Sequence, residues 1–266
     1  MTGTPVLRVR NLQKSFAGIV AASNINVDVA DGEVVGIIGA NGAGKTVFVN
    51  MITGYLKPTS GSIEFSGREI TGIRPRDATR IGVCRSFQIS QVFMTMTVLE
   101  NLLIAVSLAG KDRKSLLAPL RSRERIRECE QVMERYKLTE HRDNVTRTLS
   151  QGVRKLLDIA MAVVSNPKLL LLDEPTSGVS SDEKFRLMDL VMNALKEQGT
   201  AVLFVEHDME IVQRYVDRIL AFYQGEIVCD APPDVALKDP KVIEYVLGES
   251  HGPANDSESA LGAGHA

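Results

Sequence analysis

The chain has 266 residues, 44% of them hydrophobic and 24% charged, with a formal net charge of −2 at pH 7. That length supports one sizeable core with room for an inserted subdomain, and the lack of a basic excess argues against nucleic acid as a partner. Three scattered cysteines, Cys84, Cys129 and Cys229, form no CxxC pair, which argues against a disulfide framework or a structural zinc site and for reduced thiols.

The opening residues, MTGTPVLRVRNLQKSF, lack the apolar run of a signal peptide, and no stretch is apolar for long enough to span a bilayer. A membrane role is therefore expected to come through a partner. Val6 to Arg10 and Asn24 to Val29 alternate apolar and polar residues, the pattern of half-buried antiparallel strands. Glu33 to Ile38 is a short apolar run expected to be a buried strand; a glycine-rich loop and the helical spacing of VFVNMITG follow it. Residues 62–65 suggest another strand, with Gly61 and Gly67 at its ends.

From Thr97 to Ala162 the character turns helical. LENLLIAVSLA is an apolar helix candidate, and RSRERIRECEQVMERYKL is a solvated helix with a stripe at Ile126, Val132, Met133, Tyr136 and Leu138. Buried strands at LLLLDE and AVLFVEH then flank an amphipathic helix, DEKFRLMDLVMNALKEQG, with Gly199 at its end. Alternating strands and helices imply a mostly parallel sheet. The polar, aperiodic residues from Glu249 onward are expected to be disordered.

Gly39-Ala40-Asn41-Gly42-Ala43-Gly44-Lys45-Thr46 matches GxxxxGK[ST] between a predicted strand and a predicted helix. Glycines let successive N–H groups converge on phosphate oxygens, and the helix start adds its positive dipole end. Lys45 is placed to meet the β- and γ-phosphates, and Thr46 to offer a hydroxyl to Mg²⁺. Asp173 and Glu174 close the four-leucine strand. Carboxylates there are costly unless something binds them; Asp173 would hold Mg²⁺ through water, and Glu174 would orient and deprotonate the attacking water. His207 follows the second buried strand, where a histidine could reach a γ-phosphate but is by itself more often structural, and Gln88 in RSFQISQ likewise means little in isolation. Ser150 reads locally as a helix N-cap.

The order of phosphate loop, glutamine loop, LSxG, acidic pair and histidine resembles the ABC transporter ATPase family, over about residues 5–248. The resemblance implies an α/β fold: a P-loop NTPase (RecA-like) core with an N-terminal antiparallel β subdomain and an inserted helical subdomain. Residues 1–91 would be the first part of the core, 92–162 the helical subdomain, 163–248 the second part of the core and 249–266 the tail. It also implies that two ATPase subunits, identical or paralogous, face each other head to tail with ATP and Mg²⁺ between them. Ser150, Gln151 and Gly152 would then contact the partner's ATP, and Ser177 to Ser180 would cross the interface. By the same resemblance Phe16 stacks on adenine, the alternative for it being a core Phe after a strand, Gln88 touches Mg²⁺ and the γ-phosphate, and His207 senses the γ-phosphate. Phe93 and Met94 would either line a groove for a membrane subunit or pack in the core.

The departures are specific. Val47 stands where the family has a second Ser or Thr, forfeiting a hydrogen bond to a charged group of about 1.5–3 kcal/mol. Gln151 replaces the usual Gly, Val153 the usual Gln, and Ser180 the usual Asp. Within the family the chain is most similar to ATPase subunits of branched-chain amino acid importers, the larger of the two, and it shares stretches with urea importers and the lipopolysaccharide-export ATPase. The implied partners are two transmembrane permease subunits and a solute-binding protein, and the implied location is peripheral, on the cytoplasmic face of the inner membrane. A nucleotide-sensing module with little turnover is the alternative of another class.

Overall fold

In the computed structural model the described residues are 4–86, 92–109 and 119–248. Gln88 and the expected tail from 249 lie outside them. The first two strands, β1 (Leu7–Phe16) and β2 (Ile19–Val29), are longer than their alternating segments suggest, because bulges after Val9 let the pairing continue to Phe16↔Ile19. Ala17 and Gly18 close this hairpin with positive φ at both residues, the form that suits the strand twist. With β4 (Ser60–Phe65) and β5 (Arg68–Glu69) they make an antiparallel sheet ordered β2-β1-β4-β5. Gly61, expected at a strand end, lies inside β4.

The central sheet contains β3 (Val34–Gly39), β6 (Val83–Ser86), β7 (Leu169–Asp173), β8 (Ala201–Val205), β9 (Arg218–Tyr223) and β10 (Glu226–Ala231), ordered β10-β9-β3-β8-β7-β6. Its pairings are parallel except at the β9–β10 edge. Side chains alternate across it. Leu169, Leu171 and Leu203 face a core shared with the antiparallel sheet and α1 (Lys45–Ile52). Leu170, Leu172 and Phe204 face a second core beneath the other helices. Burial on both faces is why these strands read as unbroken apolar runs.

The helical part comprises α3 (Val98–Ala109), α4 (Arg123–Arg135) and α5 (Gln151–Val163), preceded along the chain by the short α2 (Pro75–Ile81). Met133, Tyr136 and Leu138 are buried as the stripe predicts, whereas Ile126 and Val132 are only partly covered. Asn101, fully buried, donates to the carbonyls of Phe93 and Thr97 and to the Thr146 hydroxyl, and accepts from the Phe93 amide. It thereby braces the turn carrying Phe93 and Met94, which are 47% and 40% exposed; core packing does not account for them. Past β7, α6 (Ser181–Glu197) has Asp182 and Glu183 in its first turn and Lys196 in its last, matching its dipole. A short α7 (Met209–Tyr215) follows β8, and Tyr245 near the end stacks on Tyr223 of β9 at 4.5 Å.

Candidate nucleotide site

The loop between β3 and α1 is shaped by close backbone approach. Gly39 has φ 150°, and a Cβ there would stand 2.4 Å from the Phe222 carbonyl oxygen. Gly44, at φ 102°, caps α1, and a Cβ there would lie 2.9 Å from the Ala21 oxygen. No larger residue fits either place without moving backbone. The loop therefore lies flat against β2 and β9, and α1 starts at the rim of a cavity of about 450 Å³.

That cavity is lined by Ala21, Asn41 to Val47, Arg85, Asp173, Glu174, Val205 and His207. Lys45 is buried, and its ammonium donates to the carbonyls of Gly39 at 2.5 Å and Ala40 at 3.0 Å. Burial lowers its pKa, while Glu174 and Asp173 pull the other way. Asp173 and Glu174 arrive at the end of β7, and the last rung is the Glu174 amide on the Val205 carbonyl at 2.9 Å. Glu174 then turns into the left-handed region at φ 46°, a costly conformation for a non-glycine residue that places its carboxylate over the cavity. Its Oε1 lies 3.0 Å from Nε2 of His207.

The structure thus brings Asn41, Gly42, Ala43, Gly44, Lys45, Thr46, Val47, Asp173, Glu174 and His207 to one cavity. Gly39 shapes the loop from outside the lining. Phe16 stands at the tip of the β1–β2 hairpin, 45% exposed, with Lys14 over its ring. Ser150, Gln151 and Gly152 are not part of the lining. Ser150 caps α5, accepting from the Val153 amide at 3.4 Å, and Gln151 packs beside Gly178. Arg85 was not foreseen: it pairs with Asp173 and donates to Asn50 Oδ1 at 2.6 Å. Its signal was a lone charge inside a short apolar segment, three residues before Gln88.

Comparison with known proteins decides the family. A family profile described as "ABC transporter" matches residues 22–177. The probable branched-chain amino acid transport ATP-binding protein LivG of Archaeoglobus fulgidus is 36% identical over 266 residues, 97% of this chain and 99% of that protein. This chain is an ABC transporter ATP-binding cassette. Escherichia coli K12 LivG is 34% identical, over 92% of the cassette and 99% of its own length. The ADP conformation of the ATP-binding cassette MJ1267 superposes with a TM-score of 0.82 at 33% identity, over 91% and 98% of the two chains. The cassette MJ0796, in a dimeric post-hydrolysis state with ADP and Pi, gives 0.73 at 25% identity, over 85% and 98%. The cassette hydrolyses ATP, as its family does. Among its described residues no helix is long and apolar enough to cross a membrane.

Proposed function

We propose that this cassette powers branched-chain amino acid uptake as one of two ATPase subunits bound to a pair of transmembrane permease subunits, on the cytoplasmic face of the inner membrane, with a solute-binding protein delivering the solute. The observation that carries this reading is near full-length similarity, at 34–36% identity, to proteins named for branched-chain amino acid transport.

In this reading the amides of residues 41–46 and the α1 N-terminus receive the ATP phosphates, with Lys45 at the β- and γ-oxygens. Thr46 and Asp173 supply oxygen donors suited to Mg²⁺, and both line the cavity. Among the described residues no three His, Cys, Asp or Glu side chains converge on a metal position. Two protein oxygens completed by phosphate and water fit that ion's habit, and when bound it neutralises charge on the phosphates. Glu174 takes the proton of the attacking water, and His207 orients Glu174 and meets the γ-phosphate. Gln88, outside the described residues, would join them, Phe16 would stack on adenine, and Ser150, Gln151 and Gly152 would close on the ATP of a second subunit.

The test is reconstitution in liposomes with its membrane subunits and their binding protein. ATP-driven accumulation of labelled leucine, and not of urea, is the expected result. Urea accumulation without leucine would overturn the solute assignment and leave the ATPase standing.

A further inference from the structure

Glu206 is a buried carboxylate, 4% exposed, immediately before His207 and outside the cavity lining. Its Oε1 accepts from the Thr176 amide at 3.3 Å and from the Thr176 hydroxyl. Its Oε2 accepts from the His207 amide at 2.9 Å. Thr176 follows two residues after Glu174. One side chain therefore spans the two loops that carry the Glu174–His207 pair.

The span matters because the sheet stops there. β7 and β8 pair in parallel up to Asp173↔Val205, and the Glu174 amide makes the last rung to Val205. Past that rung, among the described residues, no ladder bond sets the distance between the two loops. Beneath them, Lys155 of α5 is 1% exposed and donates to the Glu174 carbonyl at 3.4 Å. Glu206 is among the carboxylates that act electrostatically on its ammonium, so the buried charge has an opposite charge nearby.

We propose that Glu206 is a positioning residue, setting the spacing of Glu174 and His207 by bridging Thr176 to the His207 backbone. This rests on the reading of Glu174 as general base and His207 as its orienting partner. Three donors converge on its two oxygens, both of which serve as acceptors. A glutamine of the same shape presents an NH₂ to one of those donors, leaving it unsatisfied and the loops misaligned.

The test measures kcat and KM for ATP, binding of a fluorescent ATP analogue and thermal midpoint, for Glu206→Gln alone and combined with His207→Ala. Glu206→Gln is expected to lower kcat by about tenfold to a hundredfold, the cost of a small misplacement at a reacting centre. KM and analogue affinity stay at the wild-type values. In the His207→Ala background the same change adds little, because the pair it aligns is already broken. A wild-type kcat for Glu206→Gln, or an equal fold loss in both backgrounds, overturns the proposal. Thr176→Val and Thr176→Ser decide the matter should Glu206→Gln fail to fold: Val lowers kcat and Ser preserves it, and equal kcat for the two overturns the bridge. A full kcat in His207→Ala alone refutes the underlying reading, whereas an impaired His207→Ala beside an unimpaired Glu206→Gln refutes only the bridge.

Discussion

His207 Nε2 and Glu174 Oε1 stand 3.0 Å apart, although the two residues leave different strands and are separated by an α-helix in sequence. The contact fixes where the carboxylate sits over the cavity. Glu174→Gln keeps the shape and removes the proposed base. Turnover measured by phosphate release should fall by about 10²–10⁴, the usual worth of a positioned base. Nucleotide binding should persist, and light scattering should show a dimer held by ATP.

Lys45 holds its ammonium against the Gly39 and Ala40 carbonyls at the cavity rim. Hydrogen bonds to a charged group are worth about 1.5–3 kcal/mol. Lys45→Ala should therefore weaken ATP binding by roughly tenfold to a hundredfold at 1.4 kcal/mol per decade. Equilibrium titration with a fluorescent ATP analogue checks this, and unchanged affinity would contradict the phosphate-loop assignment.

Arg85 and Asp173 form a largely buried ion pair, side chains 9% and 16% exposed. Removing one partner of such a pair costs about 3–5 kcal/mol, because the other charge is left in a poorly solvated place. Arg85→Gln should lower the thermal midpoint in the absence of nucleotide. Mg²⁺ with ATP should restore more stability to this variant than to wild type, since a cation beside Asp173 supplies the missing charge. Melting curves with and without Mg²⁺ decide it.

Cys129 and Tyr136 are among the acids on the helical side of the core that resist ionisation. Burial, helped by Glu128 and Glu130, pushes the Cys129 thiol from 9.0 up to about 12. Burial pushes the Tyr136 hydroxyl from 10.0 up to about 12, against Arg135. Above pH 9 the unfolded chain releases these protons and the folded one keeps them. Stability is therefore whole below pH 9 and falls as pH rises toward 12. Cys129→Ala with Tyr136→Phe should make that fall shallower in denaturant titrations, with Cys84, Tyr215 and Cys229, also raised, supplying the remainder. Among the described residues the Tyr136 hydroxyl has no hydrogen-bond partner. Tyr136→Phe alone should thus raise stability at pH 7 by about 1 kcal/mol.

Ser150 caps α5 at the face proposed to meet a second subunit. Mixing Ser150→Arg chains with Lys45→Ala chains would concentrate both lesions in one composite site and leave the other intact. Partial recovery of phosphate release over either mutant alone is the expected outcome. No recovery at any ratio, with heterodimers verified by cross-linking, would contradict sites built from both chains.

The glycine-rich strand-to-helix loop, the acidic strand end, the two-faced strands and the amphipathic helices were legible because each is encoded locally. Gly39 to Thr46 carry their own loop geometry, Leu169 to Leu172 are apolar throughout because both sheet faces are covered, and the α4 stripe repeats at helical spacing. The short elements were not legible: β6 has four residues, β5 two, and the edge strand β10 is only half covered, so their patterns are too brief or too mixed to stand out. Tertiary structure alone decided the pairings around the site. Arg85 meets Asp173 across 88 residues, and Glu206 meets Thr176 across 30, because the strand order places β6, β7 and β8 side by side with their ends at one edge. A single charged letter in the chain carries no record of which distant partner the sheet will set beside it.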